Sequence, residues 1–348
     1  MKRRSFLVSS VAAAAAPKSQ VPKRPYKSGV ELSIIAFGGI VATSMPQSEA
    51  DSRVKAAYDR GVNYYDCAPS YADGEAEIKL GNALKEFRPK VFLAEKSQKR
   101  DAAGAQAELE QTLRRFHTDH VDLYQFHAVG SMEDVDKILA PGGAAETFFK
   151  AKKEGKTRFL GFSAHDAAAA IRLMDALELD SVLFPVNFNA WERGGFGAQI
   201  LQKAKSKGMA RMALKGLALG RWAQGAKHTH PKCWYEPVSD PELAKLALRF
   251  TLNQEITAAV PPGGRVQSLQ KPDLLALVRQ DVAEELVAVP FHTGHAHRLQ
   301  RIEVGRAGVH LDARQQHRHL ETLQARRLLH DILAREVVAA ALQHLKQR

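Results

Sequence analysis

The chain predicts a closed (β/α)8 TIM barrel, on three observations. Strand-like apolar runs alternate with amphipathic helical stretches from about residue 31 to residue 263. That span holds eight strand–helix pairs or near-pairs, which is the count of a closed barrel. Three successive runs end on polar side chains, at Asp66, Lys96 and His127, and strand ends gathered on one rim are where such barrels carry chemistry. An open doubly wound sheet fits less well. No Gly-x-Gly-x-x-Gly follows the first run, and Phe37-Gly38-Gly39-Ile40 is too short to stand in for it.

In chain order the predicted strands are Leu32 to Phe37, Val62 to Asp66, Val91 to Lys96, Val121 to His127, Thr157 to Ser163, Ser181 to Phe188, Met209 to Lys215 and Ile256 to Val260. Each is a short apolar run of strand length. Helices are expected to begin near Ser48, Glu75, Gly104, either Asp134 or Ala144, Asp166, Gly197 and Pro241. The reading divides the chain into a leader and linker (1–28), a barrel (29–264) and a tail (265–348).

The formal charge of +12 is unevenly spread over the 348 residues. Residues 1–30 hold seven Lys or Arg and no acid, while residues 31–264 hold 30 basic and 29 acidic residues. A nearly neutral body without a basic stripe argues against nucleic-acid binding, which needs Lys and Arg gathered on one surface. The opening Met1-Lys2-Arg3-Arg4-Ser5-Phe6-Leu7, followed by the apolar run Val11 to Ala16, resembles a twin-arginine export signal. It implies a periplasmic protein and contact with the export machinery. The apolar run is far shorter than the roughly 18 residues needed to span a bilayer, so no stable membrane anchor is expected. Cys67 and Cys233 are the only cysteines, too few for a zinc site, and Cys67 reads as a buried thiol.

After Gly264 the composition changes. Trp and Tyr vanish, Phe291 is the only aromatic residue, and eight of the 14 His residues fall in this stretch. The reading is a shifted frame or drifted sequence, partly helical, in place of the last helix. His292-Thr293-Gly294-His295-Ala296-His297 lacks an accompanying carboxylate or Cys and is read as solvated rather than metal-binding.

Neighbouring strands lie about 4.8 Å apart, so the polar ends of the second, third and fourth runs come within reach of one another. The two-residue period puts Tyr64 with Asp66, Ala94 with Lys96, and Gln125 with His127 on common faces. Asp66 would pair with Lys96 and keep the ammonium charged. The ammonium would then lower the pKa of Tyr71 from about 10 toward the working range. Tyr71 would act as general acid and His127 would orient a carbonyl oxygen. Side chains supply no hydride, so a reduced nicotinamide is implied.

Asp66, Tyr71, Lys96 and His127, with Gly61-Val62-Asn63-Tyr64-Tyr65-Asp66 as second strand, resemble the catalytic tetrad and strand context of the aldo-keto reductase family over residues 31 to about 264. The resemblance implies NADPH as cofactor, NADH as the alternative, and a small aldehyde or ketone as substrate. By resemblance the cofactor-binding positions are Gly38, Asp66, Ser163, Leu214, Lys215, Gly263 and Arg265, with no metal. Three positions depart from the family pattern. Ala164 stands where an Asn is common, Pro185 where a Gln is usual, and Leu214 where an aromatic often stacks. Two other readings stay open: a nucleotide-sensing or partner-binding barrel with little turnover, and a Schiff-base aldolase using Lys96. Trp191, Trp222, Trp234 and Tyr235 fall in loops on the same rim and are expected either to pack those loops or to line a pocket.

Overall fold

The computed structural model describes residues 20–194, 197–230 and 232–260. Its first element is an antiparallel hairpin, β1 (Lys23–Lys27) with β2 (Val30–Ser33). Ser28 and Gly29 turn it, both at positive φ (51° and 77°), the pairing that suits the right-handed twist of a two-residue hairpin. The hairpin occupies part of the span read as linker. It also divides the predicted first strand, because Leu32 and Ser33 belong to β2 whereas the barrel strand β3 is Phe37–Gly38.

A 3-10 turn at Gly39–Ala42 leads to α1 (Gln47–Asp59), β4 (Tyr64–Asp66), α2 (Glu75–Leu84), β5 (Phe92–Ser97), α3 (Ala102–Phe116) and β6 (Val121–Val129). Both alternatives for the next helix form, as α4 (Met132–Leu139) and α5 (Ala144–Lys153). Then come β7 (Thr157–Ala164), α6 (Ala167–Ala176), β8 (Ser181–Pro185), α7 (Phe188–Gly194), α8 (Ala198–Ser206) and β9 (Ala210–Leu214). The predicted sixth strand ran on to Phe188, but the chain leaves the sheet at Pro185 and Phe188 opens α7. A small pair, β10 (Ala218–Gly220) with β11 (Glu236–Pro237), precedes α9 (Pro241–Asn253) and β12 (Ala258–Val260).

Eight strands pair in parallel in the order β3, β4, β5, β6, β7, β8, β9, β12. Ile35 bridges Ala259, and Ala36 N–H donates to Ala259 O (2.9 Å), so the first and last strands meet and close the barrel. Strand parity sorts the core into two layers, as a two-residue period requires. Tyr64, Phe92, Ala94, Leu123, Phe159, Leu183, Met212 and Ala258 pack inside the barrel, with Tyr26 of the hairpin plugging the end away from the strand C-termini. Tyr65, Leu93, Tyr124, Phe126, Leu160, Val182 and Phe184 face outward under the helices. Arg24 fastens the hairpin by donating to Leu252 O (2.9 Å) and Ile256 O (2.7 Å).

Helix starts follow capping chemistry. Asp101 accepts from Gly104 N–H at α3, and Asp166 accepts from Ala169 N–H at α6. Ser163 Oγ, at the end of β7, accepts from Ala128 N–H (2.8 Å). Among the described residues no helix is long and apolar enough to cross a membrane, and no group of His, Cys, Asp and Glu could hold a metal ion.

Candidate active site

β4, β5 and β6 are adjacent and in register, with Asp66 opposite Ala94 and Lys96 opposite Gln125. Their C-terminal ends therefore deliver Asp66, Lys96 and His127 to one rim. Lys96 Nζ donates to Asp66 Oδ1 (2.5 Å) and to the backbone oxygen of Cys67 (2.6 Å). Both partners of the ion pair are buried. Asp66 is held from below, its Oδ2 accepting from Tyr64 OH (3.2 Å) and Gln125 Nε2 (3.4 Å). Burial opposes the Lys96 charge, but Asp66, Tyr71 and Glu95 outweigh it and hold the ammonium above the ordinary lysine range. Gly39 lets the loop after β3 close on this strand, since a Cβ there would meet Cys67 Sγ at 2.6 Å.

Tyr71 follows β4 and its ring centroid lies 5.2 Å from Lys96 Nζ and 5.9 Å from the His127 ring. The tetrad expected from sequence thus converges. Its electrostatics differ from the expectation in one respect. Burial dominates at Tyr71 and pushes the phenol up to about 12, with Lys96 lowering it and Asp66 raising it. One cation that already shares its charge with a carboxylate does not offset the loss of water around a phenolate. The phenol is therefore protonated at neutral pH. His127 is pushed well below the ordinary imidazole range by burial, Lys96, His165 and Arg100, and its Nδ1 has no hydrogen-bond partner among the described residues.

These groups floor a cavity of about 210 Å³. Gly38, Asp66, Ser163, Leu214 and Lys215, expected at the cofactor, all line it. Gly263 and Arg265 lie outside the described residues, as do residues 1–19 and the tail. Lys215 sits at φ 61° just past β9. Its ammonium, 5.9 Å from the Tyr235 ring, forms no ion pair within the described residues. Burial and Arg221 lower its pKa.

Sequence reasoning missed His165, Lys232 and Cys233, which also line the cavity. Attention at the end of β7 fell on Ala164, yet Ala164 packs outward in the helix-facing core and His165 is the residue that reaches the cavity. His165 is lowered to about 4 by burial and then Lys215, so it is neutral at neutral pH. Lys232 donates to Thr43 O (2.5 Å) and Val41 O (3.3 Å), tying the long loop between β10 and β11 to the loop after β3. The tryptophans divide their tasks. Trp191 packs edge-on against Phe250, and Trp222 stacks on His228 and donates to Cys233 O. Trp234 is 68% exposed and stands over the mouth, its ring 6.0 Å from Tyr71.

With this geometry in hand, the chain matches the description of the aldo/keto reductase family over residues 35–260. The chain belongs to that family. Among curated relatives, aldo-keto reductase YhdN of Bacillus subtilis is 28% identical over 184 residues, 47% of this chain and 53% of the relative, so the match spans about half that protein's length. L-galactose dehydrogenase of Arabidopsis thaliana is 25% identical over 67% of this chain and 80% of its own length. Two solved structures share the fold. Aldo-keto reductase AKR11C1 from Bacillus halodurans, in its holo form, has a TM-score of 0.58 at 20% identity and covers 78% of this chain and 93% of its own. Aldo-keto reductase from Klebsiella pneumoniae, in complex with NADPH, has a TM-score of 0.55 at 21% identity, covering 71% and 87%. Membership places the chain among oxidoreductases.

Proposed function

We propose that this barrel reduces an aldehyde or ketone to an alcohol using NADPH, with Tyr71 as general acid. The observation that carries the reading is the Lys96 ammonium, gripped by Asp66 and Cys67 O, beside the buried Tyr71 phenol and the His127 imidazole in one cavity. The lining suits a dinucleotide. Leu214 offers an apolar surface, and among the described residues the Ser163 hydroxyl keeps its own proton free to donate and Lys215 is a half-buried cation without an anion. NADPH, when bound, supplies the hydride to the carbonyl carbon.

The remaining chemistry belongs to the chain. Neutral His127 donates to the carbonyl oxygen and orients it, and Tyr71 transfers its proton to that oxygen as negative charge develops there. The phenolate left behind faces Lys96, whose charge Asp66 maintains. A phenol held at about 12 is fully loaded before the reaction, so the ammonium acts mainly after proton transfer, by stabilising the phenolate. Tyr71→Phe keeps the ring and removes the proton. Its kcat for carbonyl reduction should fall by roughly 10² to 10⁴ while NADPH affinity, read by fluorescence titration, stays unchanged. Undiminished kcat in that variant would refute the assignment. Tight NADPH binding by the native protein without reduction of any carbonyl in a broad panel would favour the nucleotide-sensing alternative.

Export through the twin-arginine route is proposed on Arg3-Arg4 and the apolar run behind them. Replacing both arginines, by Arg3→Lys with Arg4→Lys, should retain the protein in the cytoplasm on cell fractionation. Equal export of both forms would remove this localisation.

A further inference from the structure

One buried group beside the site takes no part in the mechanism above. Glu95 lies on β5 between Ala94 and Lys96, and parity turns it away from the cavity, under α2 and α3. It is fully buried. One of its oxygens, Oε2, has no hydrogen-bond partner among the described residues, and the other, Oε1, accepts from the backbone N–H of Lys96 at 2.9 Å. A buried glutamic acid at a position where a barrel wall calls for an apolar residue needs a reason.

The ladder between β4 and β5 supplies one. Phe92 N–H donates to Asn63 O (2.6 Å), and Cys67 N–H donates to Ala94 O (2.9 Å). Advancing two residues on each strand, the next rung would run from Lys96 N–H to Cys67 O. It does not form. Cys67 O accepts from the Lys96 ammonium instead (2.6 Å), and the stranded N–H is taken by Glu95 Oε1. A buried backbone N–H left without an acceptor costs about 1–3 kcal/mol, so without Glu95 the N–H and the ammonium of Lys96 would compete for one carbonyl.

We propose that Glu95 is a positioning residue for the catalytic lysine: its carboxyl takes the Lys96 N–H and thereby leaves the Cys67 carbonyl to hold the ammonium. The function of Lys96 in this inference rests on the reductase reading, but the hydrogen-bond exchange does not. Around Glu95 stand Glu77 and Tyr124 on the helix side, Asp66 at the end of β4 with Cys67 just past it, and the Lys96 ammonium as the cation that acts on it. Arg115 pairs with Glu77, and Glu108 lies near Tyr124. Burial, with Glu77 next, pushes the Glu95 carboxyl well above the usual range. Charged or neutral, the carboxyl presents an oxygen that accepts as an amide oxygen does, so a glutamine should replace it.

The test compares Glu95→Met with Glu95→Gln. In Glu95→Met, kcat should fall about tenfold with KM and NADPH affinity unchanged, and Glu95→Gln should restore native kcat. Native kcat in Glu95→Met, or equal losses in both variants, overturns the proposal. An arm that needs no turnover follows the Lys96 amide by hydrogen exchange in lysine-labelled protein. Exchange should quicken roughly fivefold to tenfold in Glu95→Met and stay native in Glu95→Gln, whereas an amide that already exchanges as an unpaired group in native protein overturns the proposal even if the methionine variant does not fold. Should native protein reduce no carbonyl, the reductase reading falls and the exchange arm still decides the role of Glu95.

Discussion

On the inner face of β5, Lys96 meets Asp66 in a buried pair of one cation and one anion, whereas on the outer face, one residue earlier, Glu95 shares its surroundings with two more carboxyls and a single arginine. Glu77 accepts from Thr112 Oγ1 and from Arg115 Nη1, both at 2.5 Å, and Glu108 accepts from Ser97 Oγ. The inner pair balances, and Asp66 holds the Lys96 ammonium charged despite the burial. The outer cluster has an excess of acid, and burial pushes both Glu77 and Glu95 upward in pKa. The same strand thus carries a paired inner face and an outer support layer whose buried carboxyls are held above the usual range.

Breaking the inner face should have the largest effect. Lys96→Met leaves Asp66 buried without its cation, and urea unfolding should register a loss of about 3–5 kcal/mol together with loss of reduction. A loss under about 1 kcal/mol would mean that the pair behaves like a surface ion pair. Next comes the support layer. Thr112→Val keeps the shape but removes a donor from buried Glu77, and should cost about 2 kcal/mol in unfolding free energy with kcat per folded molecule unchanged. A selective fall in kcat would join the two faces functionally and blur the comparison.

The last prediction has the opposite sign. Because the Glu95 carboxyl has a higher pKa folded than unfolded, the folded state holds its proton longer. Its contribution is therefore complete below the unfolded value and is lost as pH rises toward the folded one. Glu95→Gln cannot ionise, so its stability relative to native protein should improve as pH rises above the unfolded carboxylate range of about 4–5. A difference that stays flat as pH rises would show that the Glu95 carboxyl titrates alike in the folded and the unfolded chain.

Much of the inner face was legible in the chain and little of the outer. Asp66, Lys96 and His127 each end an apolar run, and polar residues at strand ends stand out against their neighbours. Glu95 sits beside Lys96 in the same run and passed unremarked, although its outward parity beneath two helices was itself a signal. His165 was missed because the register at the end of β7 was not resolved to one residue. Lys232, Cys233 and Trp234 reach the mouth from a long loop whose path no local pattern encodes. The first barrel strand was misread for a related reason: Leu32 and Phe37 are both buried, but in different sheets joined by one continuous apolar stretch.

What the sequence alone determined is periodic and local: eight apolar runs, the alternation that aligns Ala94 with Lys96 and Gln125 with His127, and the caps that start α3 and α6. These depend on residues within a turn or a pleat of one another. Tertiary structure alone decided the closure of Ile35 on Ala259, the loop tied across the mouth by Lys232, the protonated state of Tyr71, and the transfer of Cys67 O from ladder to ammonium. Each of these depends on how far water is excluded and on which distant carbonyl or charge arrives, and both are properties of the assembled barrel.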